Sequence, residues 1–168
     1  MRYLLSLLVF LSSSLHAENI TDPAEQQMRL VYRFISDAAL LVDDKSSTAI
    51  RAIAPLLKET TKQFLPENAL DDRRLWTSYL FEFEGLIVEG IESPDGEFFL
   101  QSLFYSDPKW QIPLGLNVGS SMQQVQNTLG KPKGATPQGI EYEGETQQVT
   151  FELQDNKVRA IQFTYYVD

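Results

Sequence analysis

The feature that most constrains the fold is an alternation of apolar and polar residues in the last part of the chain. Apolar side chains recur at every second position in three successive segments, at residues 140–143, 148–153 and, within 158–167, from Ile161 to Tyr165. A period of two is that of a β-strand, because successive side chains point to opposite faces of the sheet. Short turns such as Asp155-Asn156 separate the segments. The pattern therefore predicts an antiparallel meander with one covered face. The side chains predicted to face the core are Ile140, Tyr142, Val149, Phe151, Leu153, Ile161, Phe163 and Tyr165.

An earlier β-rich region has a similar pattern and suggests an internal repeat. The segment Phe81-Glu82-Phe83-Glu84-Gly85 matches Ile140-Glu141-Tyr142-Glu143-Gly144 in its order of apolar and acidic residues. It belongs to a second set of predicted strands, at residues 79–84, 86–92 and 98–105. The match indicates either two equivalent modules or a chance similarity between amphipathic strands.

A predicted helix precedes each set of strands. The helix at residues 122–129 has Ser120 or Ser121 as its N-cap and is ended by Gly130 and Pro132. The other helix begins after Ser47 and continues to about residue 65, with a kink or break expected at Pro55.

A third helix is predicted near the N-terminus. Asp22 can cap it, Pro23 suits its first position, and apolar residues recur at helical spacing from Met28 to Val42. The competing interpretation is a strand at residues 30–34, where β-favouring residues follow one another.

These elements predict an α+β protein with two modules, each a helix followed by a three-stranded antiparallel meander, and an extra N-terminal helix. The predicted organisation is a signal peptide at residues 1–17, the N-terminal helix at 18–44, the first module at 45–113 and the second at 114–168.

The first residues resemble an export signal. Met1-Arg2 is a short basic start, residues 3–11 are mostly apolar, and Ala17 offers a small residue for cleavage before Glu18. The apolar run is shorter than the roughly 20 residues that a membrane-spanning helix needs. We expect a periplasmic or secreted protein that meets the membrane only through this transient segment. An uncleaved membrane anchor is the alternative.

Residue types missing from the chain exclude several chemistries. Cysteine is absent, and the one histidine, His16, lies in the predicted signal peptide. Thiolate nucleophiles, Cys/His zinc sites and histidine bases are therefore excluded from the exported product. The net charge of −9 makes nucleic acid an unfavourable partner, because both would be negative.

Carboxylates are the remaining candidates for catalysis or metal binding. Glu82 and Glu84 could lie near Glu141 and Glu143 on one sheet face, and paired carboxylates can hydrolyse glycosides. Surface glutamates that alternate with core aromatics are the favoured interpretation. The acidic pairs of the chain lack the spacing of a calcium loop. We expect no cofactor, no metal, no small-molecule substrate and no enzymatic activity.

Residues 98–105 differ from the other predicted strands because both of their faces are apolar. Alternation places Phe98, Leu100 and Phe104 on one face and Phe99, Leu103 and Tyr105 on the other. Such a strand is either covered twice, here by the N-terminal helix, or presents a patch for a partner. The contacts predicted for a protein partner are Phe99, Leu103, Tyr105, Trp110 and Tyr166.

The segment Val118-Gly119-Ser120-Ser121 through Val125 to Leu129-Gly130-Lys131-Pro132 resembles the helical signature of the outer-membrane assembly factor BamE family. Residues 114–168 carry this resemblance, and residues 45–107 share it only through the internal repeat. The repeated arrangement is also similar to the β-lactamase inhibitory protein, which has two tandem helix-plus-sheet modules.

Two functions follow as hypotheses. The first is an exported protein-binding or inhibitor-like module that uses one sheet face to engage another envelope or secreted protein. The second, implied by the BamE-like segment, is a structural accessory of cell-envelope or outer-membrane assembly.

Overall fold

The computed structural model describes residues 22–39, 42, 46–66, 74–144 and 146–165. The predicted signal peptide lies outside these residues. The described part contains the helices α1 (Pro23–Ala39), α2 (Ser47–Arg51) and α3 (Met122–Leu129), and a short 3-10 helix at Pro113–Gly115. None of these helices combines the length and apolar character needed to cross a membrane.

The described strands form one antiparallel sheet in the order β1-β2-β3-β4-β8-β7-β6-β5. Their bounds are β1 (Leu56–Phe64), β2 (Trp76–Phe83), β3 (Leu86–Glu92), β4 (Phe98–Tyr105), β5 (Gly134–Thr136), β6 (Gly139–Glu143), β7 (Gln147–Gln154) and β8 (Lys157–Tyr165).

This sheet corrects the predicted fold of two helix-plus-three-strand modules. β4 pairs with β8 in register from Ser102–Thr164 to Tyr105–Ile161, so strands from both halves of the chain belong to one eight-stranded sheet. The end strand of an isolated meander has backbone N–H and C=O groups without hydrogen-bond partners. Here β4 and β8, the end strands of the two meanders, form hydrogen bonds with each other. The prediction of two modules, each with its own sheet, was therefore wrong.

The predicted helix from Ser47 to residue 65 was also wrong beyond its first turn. α2 ends at Arg51, and β1 begins directly after Pro55. Pro55 cannot donate a backbone hydrogen bond to a continuing helix, and the following Thr60 and Thr61 favour an extended chain. β1 pairs with β2 from Leu56 to Phe64, with a bulge near its start.

The N-terminal helix agrees with its predicted cap and its predicted apolar spacing. The side chain of Asp22 accepts a hydrogen bond from the Ala24 amide at 3.0 Å. Val31, Phe34 and Ile35 are buried in α1, whereas Met28 is 42 % exposed. The alternative of a strand at residues 30–34 was wrong.

The core lies between the helices and one face of the sheet, which we call the covered face. Phe34 of α1 packs against Phe163 and Phe151, with ring centroids at 5.5 and 6.1 Å. Burying one such side chain contributes roughly 1.5–3 kcal/mol. The inward positions predicted for the last meander are confirmed: all are buried except Tyr165, which is half-buried and donates its hydroxyl to the Ile35 carbonyl.

A bulge in β4 decides which of its side chains face the core. Glu89 pairs with Ser102 and Gly90 pairs with Leu100, so Gln101 is an extra residue in β4. An extra residue reverses the alternation of faces beyond it. Of the six apolar side chains of β4, the structure therefore places four on the covered face and two on the opposite face. The former are Phe98, Leu100, Leu103 and Tyr105, and the latter are Phe99 and Phe104.

The predicted grouping of Phe104 with Phe98 was wrong for this reason. Gly90 makes the arrangement possible, since a Cβ there would lie 2.2 Å from the ring of Phe98.

Candidate functional site

The candidate site is the open face, which is the side of the sheet opposite α1, α2 and α3. No described helix packs on it, because the helices contact the covered-face side of β2, β6 and β7. Its two halves differ in chemistry, although the strands on both sides of the β4–β8 junction cover the same core.

The half built by β2, β3 and β4 carries six apolar side chains, which we call the apolar patch. They are Trp76, Leu80, Ile87, Ile91, Phe99 and Phe104, all partly exposed. Trp76 and Phe99 stack with their ring centroids 5.7 Å apart. Ile87 is paired with Phe104, and Ile91 is paired with Phe99. Cross-strand pairing therefore joins these side chains into one surface.

A carboxylate lies in the middle of the apolar patch. Glu89 is on β3 between Ile87 and Ile91, and it is paired with Leu80 on β2 and with Ser102 on β4. The Ser102 hydroxyl, which is buried, donates a hydrogen bond of 2.6 Å to Glu89 Oε2. The glutamate itself is exposed. One oxygen is thus held by the protein, while the head group stays accessible.

The neighbouring acid on the same face has a different environment. Glu82 of β2 forms an ion pair with Lys58 of β1 at 2.9 Å. Among the described residues, no basic side chain makes an ion pair with Glu89. Glu89 therefore differs from Glu82 in having no counter-charge among the residues that the structure describes.

The other half of the open face is polar. Its side chains are Glu141, Gln148, Thr150, Glu152, Gln162 and Thr164, from β6, β7 and β8. Glu152 forms an ion pair with Arg159 of the adjacent strand, with a nitrogen-to-oxygen distance of 2.8 Å. This is the ordinary composition of a sheet face in contact with water.

The structure places the five predicted contact residues in different environments. Phe99 belongs to the apolar patch, whereas Leu103 and Tyr105 are 0 % and 2 % exposed on the covered face. Burial raises the pKa of the Tyr105 hydroxyl well above its usual range. Trp110 is half-buried in the loop after β4, where its indole N–H donates to the Glu84 carbonyl. Tyr166 lies outside the described residues. Leu103 and Tyr105 therefore cannot contact a partner in this fold.

The patch residues other than Phe99 were missed by the sequence analysis. Alternation in β2 places Trp76 and Leu80 on the side opposite the buried Phe81. In β3 it places Ile87 and Ile91 on the side opposite the buried Val88. This alternation is the sequence signal that identifies these four residues as members of one face.

The glutamates proposed for a hydrolase do not converge on the described surface. Three of them form ion pairs with separate lysines: Glu84 with Lys109, Glu143 with Lys133, and Glu82 with Lys58. Glu82 and Glu141 are on strands separated by β3, β4, β8 and β7. The described residues contain no cluster of three potential metal ligands.

An Arg–Glu pair supports the covered side of β1 rather than the open face. The Arg51 guanidinium makes two hydrogen bonds to Glu59, at 2.6 and 2.7 Å, and lies 5.6 Å from the ring centroids of Tyr79 and Phe81. These hydrogen bonds lower the pKa of Glu59. The pair anchors α2 to the edge of the sheet.

A shallow cavity of about 280 Å³ lies between the start of α1 and β6. Several of its polar groups are engaged within the fold: Tyr142 donates to the Gly130 carbonyl, Gln27 donates to the Lys131 carbonyl, and Lys133 forms an ion pair with Glu143. Burial raises the pKa of Tyr142 to about 12. These groups serve packing between α1 and the sheet.

Comparison with known proteins leaves the family unassigned. No protein-family model matches the chain. No curated protein matches it either. Among solved structures, it is similar to the crystal structure of the uncharacterized protein YfeY from Escherichia coli, with a TM-score of 0.40 and 12 % identity. The similarity covers 70 % of this chain and 86 % of that one. The BamE-like signature at residues 118–132 stays a prediction.

Proposed function

We propose that this protein is an exported, non-enzymatic binding module that engages another envelope or secreted protein through its apolar patch. The observation that carries the proposal is the contrast between the two halves of the open face. One half has the polar side chains expected next to water, while the other presents two phenylalanines, a tryptophan, a leucine and two isoleucines.

The composition of the patch suits a protein interface. Interface centres are enriched in aromatic residues, and tryptophan is frequent among the residues that dominate binding energy. A rigid sheet holds these side chains in place through cross-strand pairing, so little conformational entropy is lost when a partner binds. The stacked pair of Trp76 and Phe99 is already ordered in this way.

Site-specific photo-crosslinking tests the proposal directly. Benzoylphenylalanine is incorporated at Ile91 or at Phe104 in the patch, and as matched controls at Thr150 or at Glu141 in the polar half. We expect the patch positions to crosslink to one discrete protein, identified by mass spectrometry, and the control positions to give no such product.

Purified partner then completes the test. The partner should bind the wild-type chain, and Phe99→Ala should weaken the affinity by about tenfold or more, the effect of a moderate hot spot. A soluble enzyme as partner indicates an inhibitor-like role, and an outer-membrane assembly component indicates the accessory role. Equal crosslinking from both halves, or none from the patch, would overturn the proposal.

A further inference from the structure

We infer that the apolar patch selects a protein segment that places a lysine or arginine on Glu89 between apolar side chains. This inference rests on the proposed function and adds the chemistry of the partner. It assigns Glu89, which lies among the six side chains of the apolar patch, as the residue that determines specificity.

The position of Glu89 supports this role. Its same-face neighbours along β3 are Ile87 and Ile91, and its cross-strand neighbours are Leu80 and Ser102. Same-face diagonal neighbours in a sheet lie about 7–8 Å apart, within reach of large side chains. A partner covering the patch would therefore also cover Glu89 and remove its water.

Loss of water from the Glu89 carboxylate makes the site discriminate between partner segments with and without a cation. A carboxylate that loses water without gaining a partner is strongly disfavoured, so an apolar segment alone would be rejected. A cationic side chain compensates for the lost water with a charge-assisted hydrogen bond. Its aliphatic stem can then contact Ile87 and Ile91, the neighbours of Glu89 along β3.

Two further observations favour a cation supplied by the partner. Glu82, on the same face, already has Lys58, whereas within the described part of the chain Glu89 has only the hydroxyl of Ser102 as a side-chain partner. That hydrogen bond fixes the orientation of the carboxylate before binding, which reduces the entropy lost in the complex. The net charge of −9 also attracts a basic partner over a longer range.

A random-peptide phage library selected on the immobilised intact chain tests the inference. The same library is selected on Glu89→Gln, on Glu141→Gln as the matched change in the polar half, and on the double variant Phe99→Ala/Phe104→Ala. Circular dichroism confirms that every variant keeps its fold. Synthetic versions of the enriched peptides are then titrated by fluorescence anisotropy at low and high salt.

We expect the wild type to enrich peptides with one lysine or arginine flanked by apolar residues. Their affinity should fall about tenfold or more with Glu89→Gln, stay unchanged with Glu141→Gln, and weaken with salt. A peptide whose cation is replaced by glutamate should bind Glu89→Lys better than it binds the wild type.

Other outcomes overturn the inference and separate it from the proposed function. Apolar peptides that bind the wild type and Glu89→Gln equally well, but not the double variant, refute the role of Glu89 and leave the apolar patch as the binding site. Peptides that bind all variants equally contradict both proposals. A selection that enriches no peptide overturns the inference, while the crosslinking experiment decides the function independently.

Discussion

The two halves of the sheet share a core but differ on the side away from it. On the covered face, Phe81 and Phe83 of β2 are as buried as Ile140 and Tyr142 of β6. On the open face, β2–β4 carry the apolar patch, whereas β6–β8 carry glutamates, glutamines and threonines. Packing explains the likeness of the covered faces. It does not explain why the two halves of the open face differ, and our proposal of a binding role is based on this difference.

The largest expected effect tests the shared core. Phe151→Ala in β7 and Phe81→Ala in β2 each remove a fully buried ring and should destabilise the protein by roughly 3–5 kcal/mol. Urea denaturation measures the free energy of unfolding. Similar losses show that both halves depend on one core. A loss below about 1 kcal/mol in either variant, the level of an exposed substitution, would contradict this.

The next largest effect tests the bulge at Gln101, which reverses the alternation of side chains between the two faces along β4. Gly90→Ala places a methyl group against the ring of Phe98 and the carbonyl oxygen of Phe99. We expect a loss of about 1–3 kcal/mol in the free energy of unfolding, the range of an overpacked site. Gly134→Ala is the matched control in the other half, because its Cβ would lie at an ordinary 3.9 Å from Glu141. Equal stabilities of the two variants would show that the bulge does not need Gly90.

A smaller change in free energy tests the contrast between the two halves of the open face. Phe104→Ala should weaken partner binding by about tenfold, which is 1.4 kcal/mol. Gln162→Ala, at the position paired with Phe104 across the β4–β8 junction, should leave it unchanged. Isothermal titration calorimetry with the partner identified by crosslinking measures both. If Gln162→Ala weakens binding as much, the functional boundary does not lie at that junction.

The smallest effect concerns the edge of the apolar half and depends on pH. Since Arg51 lowers the pKa of Glu59 below its ordinary value of 4.5, this pair stabilises the fold above that pH. The contribution is lost as the pH falls through the lowered pKa. We expect Glu59→Gln to destabilise the protein by at most about 1 kcal/mol at neutral pH, because the pair is partly exposed.

The difference between wild type and Glu59→Gln should shrink as the pH drops below 4.5. Thermal unfolding of both proteins at several pH values measures it. A difference that stays constant over this range would show that the ion pair does not contribute to stability.

Local patterns predicted much of the secondary structure but little of the candidate site. The bounds of α3, β3 and β4 coincide with their predicted segments, since caps, turns and alternation are short-range features. Of the four predicted contacts that lie within the described residues, Phe99 is the one in the apolar patch. Leu103 and Tyr105 were misassigned because the extra residue Gln101 shifts their alternation relative to Phe99.

The sequence by itself determined the apolar and polar faces of the last meander, the caps of α1 and α3, and the exclusion of thiol chemistry, since the chain contains no cysteine. The tertiary structure alone decided that β4 joins β8, that residues 56–64 extend the sheet as β1, and that the bulge directs Phe104 outward. The reason is physical: capping and alternation act between near neighbours in the chain. Strand pairing and its register instead depend on backbone hydrogen bonds between segments that only the folded chain brings together.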